Sequence, residues 1–227
     1  MADITVVKRD GSQQPFDANK INLTLLAASE GLPDQITKVA QIAAELQLTL
    51  FDGITTEQLD EALIQTAVQN VKDDPDFDTI AARLLLRTIY RQVLGDYTNK
   101  TELKKLHAQK FPIYIRQAAK EGLLDKRMAD SQLFNLKKLA AALDPSKDSL
   151  SKYLGVVTNR NRYALRRQSG DPIEVPQFTN MRIAMGLSFN EVNPTEAAIK
   201  FYRHMANLEY SCLLYTSPSP RDRQKSR

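Results

Sequence analysis

The chain has 227 residues, a formal charge of +4 at pH 7 and a single cysteine. The last sixteen residues set Arg221, Arg223, Lys225 and Arg227 against Asp222, so residues 1–211 carry 27 basic and 26 acidic side chains. Such a near-neutral chain offers no electrostatic basis for binding nucleic acid or a membrane surface, and the one thiol, Cys212, allows neither a disulfide framework nor a cysteine zinc cluster.

No run approaches the ~18–20 apolar residues of a membrane span. The opening MADITVVKRDG also lacks the apolar core of a secretion signal. A cytoplasmic protein of one or two ordinary domains is expected. Residues 4–8 are β-branched and extended, and Asp10 with Gly11 makes a turn pair, because glycine readily takes positive φ. Residues 13–16 return, with Pro15 placing that strand at an edge or at its end. Asp17 is a fair N-cap for a helix with Ile21, Leu25 and Ala28 on one face, stopped by Gly31. Asp34 is placed to cap a second, where Ile36, Val39, Ile42 and Leu46 recur at helical spacing. After Asp52 and Gly53, Thr55 and Gln58 form a capping-box pair ahead of Leu59, Leu63, Ala67 and Val71. A fourth helix is predicted over 78–94, closed by Gly95.

One hairpin and four helices make 1–96 a compact domain. Residues 97–143 read as a helical connector, with a link over 97–102 and helices near 113–121 and 131–143. A break at Asp144, Pro145 and Ser146 opens 144–211, an all-α segment with a loop over 166–172 and two strong helix candidates, 177–187 and 194–208. The fold class is mainly α: a small α+β domain, built as a β-hairpin plus four-helix bundle, followed by an all-α segment.

The tail stands apart. Residues 212–222, CLLYTSPSPRD, are without mismatch one reading frame of the transposon-end adapter used in sequencing libraries. Residues 212–227 are therefore similar to translated adapter, and such scars are excluded from fold reasoning. The tail is expected to be disordered and to pack against nothing, and the chain to be an N-terminal fragment whose native sequence stops at Ser211.

The informative cluster is VVKRDG (6–11) followed by FDANKI (16–21). In a hairpin closed at Asp10 and Gly11, Lys8 and Arg9 sit beside the turn, and the returning strand leads into a helix whose first turn holds Lys20. Free backbone N–H groups and the helix dipole already favour an anion there. Three cations around a helix N-terminus suit a polyphosphate better than a single carboxylate. Asp17 and Gln14 are placed to hydrogen-bond a base or ribose. A solvated hairpin tip with ordinary surface charges has an equal claim on the same residues.

Three stretches in order, VVKRDG with FDANKI, FDGITTEQLDEAL, and DTIAARLLLRTIYRQVLGDY, resemble the ATP-cone. This is the allosteric nucleotide-binding domain at the N-terminus of many ribonucleotide reductase large subunits. The resemblance covers 3–97. It implies a site for ATP or dATP under a lid formed by the hairpin, with Mg2+ as an optional companion and no metal site of the chain's own. Val7, Lys8, Arg9, Gln14, Asp17, Lys20 and Ile21 match the first anchor, Thr56 and Leu59 the second, and Arg91 a basic position on the last helix. Asp60 stands where some members have a histidine, and no contact is assigned to it. Arg83, Arg87 and Arg91 form an i, i+4, i+8 stripe. Arg91 is expected to meet phosphate, and the other two are read as structural.

Residues 134–165 and 172–191 are similar to the all-helical segment that follows the cone in class I and II large subunits. Asp148, Tyr153, Arg162, Tyr163, Pro176, Gln177 and 181–186 match, with Ser151 in place of a common aromatic. These positions read as scaffold. The resemblance implies the regulatory part of a ribonucleoside-diphosphate reductase large subunit, inactive by itself because the catalytic barrel lies beyond Ser211. The intact protein would be a homodimer working with a radical-generating small subunit, with no nucleic acid or membrane partner. Cys212 falls too early to be an active-site cysteine, and no catalytic residue is assigned. His107 and His204 have no acid or nucleophile spaced to work with them and read as surface or partly buried helix residues.

Two other readings are a nucleotide-sensing transcriptional repressor and a freestanding helical interaction module. The repressor family places a cysteine-rich zinc ribbon ahead of its cone, whereas here three residues precede the first strand. The ordered run from cone to reductase segment weighs against the second.

Overall fold

The structure, a computed structural model, describes residues 4–8, 10–167 and 169–209. Arg9 and the 212–227 tail with Cys212, about which the sequence makes specific calls on contact and order, lie outside the described residues. In chain order the elements are β1 Thr5–Val7, β2 Gln13–Pro15, α1 Ala18–Ala28, α2 Gln35–Gln47, β3 Ile54–Thr55, α3 Thr56–Gln69, α4 Asp76–Leu94, α5 Lys100–Lys120, α6 Leu136–Ala142, α7 Tyr153–Thr158, α8 Pro176–Leu187 and α9 Pro194–Ala206. A π turn, Asn159–Tyr163, follows α7. The described residues gather into two units, 4–102 with 151–176, and 103–150 with 177–209.

The first unit starts from the hairpin. Gly11 turns the chain at φ +80°, a conformation glycine reaches without steric cost. Lys8 N–H donates to the Ser12 carbonyl at 2.8 Å. β1 pairs antiparallel with β2, Thr5 opposite Pro15, Val6 opposite Gln14 and Val7 opposite Gln13. Pro15 ends the outer strand, where a missing N–H is tolerated. A third strand, absent from the sequence reading, completes the sheet. β3 runs parallel to β1, giving the order β2-β1-β3. Two residues are too few to display alternation. Their pairing is fixed by bonds from afar: Thr5 N–H donates to Asp52 Oδ1 and Gly53 N–H to the Thr5 carbonyl, both at 2.9 Å.

Asp17 caps α1 by accepting from Asn19 N–H at 3.0 Å, and Ile21, Leu25 and Ala28 are its buried face. Thr55 and Gln58 exchange both bonds of the capping box at the start of α3. α2 differs from the sequence reading. Asp34 occupies the N-cap position at φ 48° but makes no side-chain cap, and Ile36 is 80% exposed. Lys38 turns inward instead, with Nζ 3.0 Å from both Asp74 and Asp76 and 2.7 Å from the Pro33 carbonyl. Three acceptors meet three ammonium protons. The Asp74 hydrogen bond, joined by Asp76 and opposed by burial, holds the lysine pKa above its usual value. α3 and α1 both pack on α4, and α2 lies against α1 and α3. Leu25, Ile42, Leu63 and Ile80 are fully buried there, each worth about 1.5–3 kcal/mol. α7 packs on α4 in the same unit.

In the second unit, α5 is one helix although Pro112 lies inside it. The sequence reading starts a helix only near 113, whereas α5 begins at Lys100. Burial of Leu103, His107, Phe111, Tyr114 and Ile115 carries the helix across the missing bond. The helix expected over 131–143 shrinks to α6, because Asn135 takes the N-cap and accepts from Lys138 N–H at 3.0 Å. α8 and α9 form where expected, α9 two residues shorter at its end.

Phe178 stacks on Tyr114 with centroids 5.4 Å apart and meets Phe111 and His107 edge-on at 5.2 and 5.6 Å. His107 is fully buried, deeper than the sequence suggests, with Nδ1 2.8 Å from the Leu103 carbonyl. Burial pulls its pKa down to about 4. His204 lies at the surface beside Glu209. Tyr202 OH donates to Gln177 Oε1 at 2.5 Å and accepts from Asp144 N–H at 2.8 Å, while Gln177 Nε2 donates to Asp148 Oδ1 at 2.5 Å. Among the described residues no helix is long and apolar enough to cross a membrane.

Candidate functional site

The hairpin, the start of α1, the start of α3 and the end of α4 enclose a cavity of about 630 Å³ in the first unit. Of the ten residues singled out from sequence, Lys8, Gln14, Asp17, Lys20, Ile21, Thr56, Leu59 and Arg91 line it. Each reaches it for a local reason. The tight turn holds Lys8 beside the hairpin tip, the Asp17 cap starts α1 so that Lys20 and Ile21 fall in its first turn, and the capping box does the same for Thr56 and Leu59. Val7 is not among the lining residues. Its carbonyl accepts from Thr56 Oγ1 at 3.2 Å and its backbone pairs with Thr55, so it ties α3 to the hairpin.

Four cations, Lys8, Lys20, Arg87 and Arg91, share the cavity with four carboxylates, Asp10, Asp17, Asp60 and Asp96. Lys20 is 3.9 Å from Asp17, with both side chains well exposed. Arg91 Nε donates to Asp96 Oδ1 at 2.8 Å, and the Asp96 side chain is 84% exposed. Exposed pairs of this kind are weak, so a polyanion can take either cation from its local partner. Asp10 faces its own turn: its carboxylate accepts from the Ser12 hydroxyl at 2.6 Å and from Ser12 N–H at 2.9 Å, which holds its pKa below the usual range. Arg87 stands 3.6 Å from the nearly buried Asp60. Burial lowers its pKa and Asp60 acts the other way.

The arginine stripe divides. Arg83 donates to the Ala28 and Glu30 carbonyls at 2.9 and 2.7 Å and so caps the end of α1. Arg87, read as structural from sequence, lines the cavity with Arg91. The signal for it was its spacing, one helical turn from Arg91 on the same face. Sequence reasoning also missed the apolar lining of Phe16, Leu23 and Leu63, and left Asp60 unassigned. Phe16 and Leu63 look like core, and nothing local distinguishes them. Among the described residues no group of three or more His, Cys, Asp or Glu could hold a metal ion.

Residues 4–92, which contain every residue of this cavity except Gly95 and Asp96, match the family model of the ATP cone domain. Residues 149–212 match that of the ribonucleotide reductase all-alpha domain. The chain carries, in order, an ATP cone and a ribonucleotide reductase all-alpha domain. It is 34% identical, over 96% of its length, to the ribonucleoside-diphosphate reductase subunit alpha of Helicobacter pylori. The corresponding subunit of Chlamydia trachomatis is 31% identical over 92% of the chain, and the large subunit of Arabidopsis thaliana 26% over 97%. The chain spans 26%, 19% and 26% of the lengths of these relatives, respectively. An ATP cone is a nucleotide-effector domain, and the match to it falls on residues 4–92 of the first unit. The all-alpha match downstream disfavours the repressor and freestanding-module readings.

Proposed function

We propose that the cavity under the hairpin binds ATP or dATP as an allosteric effector, and that the intact protein is a cytoplasmic ribonucleoside-diphosphate reductase large subunit. It would act as a homodimer with a radical-generating small subunit. The observation that carries the effector reading is the convergence of Lys8, Lys20, Arg87 and Arg91 on one cavity with an apolar lining of Phe16, Ile21 and Leu59. The cations address the polyphosphate, with Arg9 beside them in sequence. Gln14 and Asp17 address the base or ribose, and the apolar residues the base face. Any Mg2+ arrives on the nucleotide. The cone is taken to end near residue 96, with the connector to 143 and the all-α segment beyond it.

Regulation by such a site is linkage: the effector must bind two assembly states unequally in order to shift them. Calorimetric titration of the chain with ATP and dATP tests the site. Saturable heat is expected, and silence at millimolar nucleotide sinks the effector reading. Recovery of the uninterrupted gene tests the parent enzyme. A frame continuing into a cysteine-bearing barrel supports it, and a natural stop codon after Tyr210 overturns it.

A further inference from the structure

A second cavity, of about 310 Å³, lies in the first unit between α3, α4 and the segment of α7 with its π turn. Its lining combines the apolar Ile64, Leu85 and Val157 with Tyr153. Among the buried polar atoms of its lining residues that have no hydrogen-bond partner among the described residues are Gln92 Oε1 on α4 and Arg160 Nε in the π turn. Buried polar atoms in folded proteins are nearly always satisfied, and an exception calls for strain, function or a bound molecule.

Arg160 is held in place. Ala164 N–H donates across the π turn to the Asn159 carbonyl at 2.8 Å. Arg166 Nη2 donates to the Arg160 carbonyl at 2.9 Å and to Asn161 Oδ1 at 3.2 Å. Single π turns recur at functional sites.

Charge selects the ligand class. Among the described residues, Glu57, Asp60 and Glu61 share the lining with one cation, Arg160, so a phosphate or carboxylate is disfavoured by like charge. Gln92 Oε1 and Arg160 Nε call for a molecule that donates to Gln92 and accepts from Arg160, as the edge of a neutral amide does. An aromatic ring and aliphatic lining suit a planar body, and the volume is at the small end for a ligand site.

We propose that this cavity binds a small, uncharged, planar molecule bearing an amide-type donor–acceptor edge, held between Gln92 and Arg160. Nucleobases and ring carboxamides share that chemistry.

Titrating the isotopically labelled full chain with cytidine, nicotinamide and nicotinate, while following the Gln92 side-chain amide and the Arg160 Nε–H by nuclear magnetic resonance, tests it. A saturable shift at both groups is expected with cytidine, nicotinamide or both, and at least about tenfold weaker binding of nicotinate, which lacks the donor and carries a charge. Response to cytidine alone identifies a base-type ligand, and response to nicotinamide alone a carboxamide. Gln92→Leu and Arg160→Lys should each weaken binding about tenfold, whereas Ile36→Ala, at an exposed position outside both cavities, should leave it unchanged. Absence of a saturable shift with either neutral probe at about 10 mM, or nicotinate binding as tightly as nicotinamide, overturns the proposal. The titration of the unaltered chain decides the matter even where a variant fails to fold.

Discussion

The interior of the second unit and the effector cavity of the first use similar polar side chains to opposite ends. Tyr202, Gln177 and Asp148 are at most 3% exposed and bond in a chain through the core. In the cavity, Lys20 and Arg91 hold carboxylates that are themselves open to water. Orphaning a buried hydrogen-bonded group costs about 1–3 kcal/mol, whereas an exposed ion pair is worth about 0–1 kcal/mol. What separates scaffold from binding surface is therefore the cost of exchanging partners, more than the polarity of the residues.

The largest test is Phe178→Ala. Phe178 is 1% exposed and contacts three rings, so urea unfolding should show a loss of about 3–5 kcal/mol. A loss below about 1 kcal/mol would mean the second unit is not the close-packed interior that the contrast requires.

Next comes pH. The folded pKa of His107 is about 4, against an ordinary 6.5. Between those values the unfolded chain binds the proton more readily than the folded one, so stability is full above pH 6.5 and falls as pH drops towards 4. The total is about 3 kcal/mol. Urea midpoints at pH 7, 5.5 and 4.5 should show this slope, and His107→Leu should remove that part of it.

Effects in the cavity should be smaller and confined to ligand. Arg91→Ala should weaken ATP about tenfold while leaving ligand-free stability within about 0.5 kcal/mol. A large loss of stability without nucleotide would place Arg91 with the scaffold. Asp96→Asn removes the local competitor of Arg91, so ATP should bind about two- to fivefold tighter, most clearly at low salt.

Much of the cavity was legible because its residues follow local rules. The Asp10 and Gly11 turn, the Asp17 cap and the Thr55–Gln58 capping box each have short-range signatures, and each sets the register of residues that line the site. What escaped was set by distance. β3 is two residues held by partners nearly fifty positions away, and Lys38 is inward only because Asp74 and Asp76 meet it there. The full length of α5 escaped for a related reason, since tertiary burial carries the helix through Pro112, a local breaker. Arg87 was visible as one of three equivalent arginines, but only packing separates the cap at Arg83 from the two that reach the cavity.

The parallel pairing of β1 with β3 also bears on when the cavity comes into being. The bond from Thr5 to Asp52 spans 47 positions, so closing it requires the hairpin, α1, α2 and the following turn to be gathered first. Contacts of such separation are slow to form. A ligand therefore meets its completed site only after most of the domain has folded, and its contacts are expected to form late on the folding path. It should lengthen the lifetime of the folded cone while leaving the rate of folding nearly unchanged.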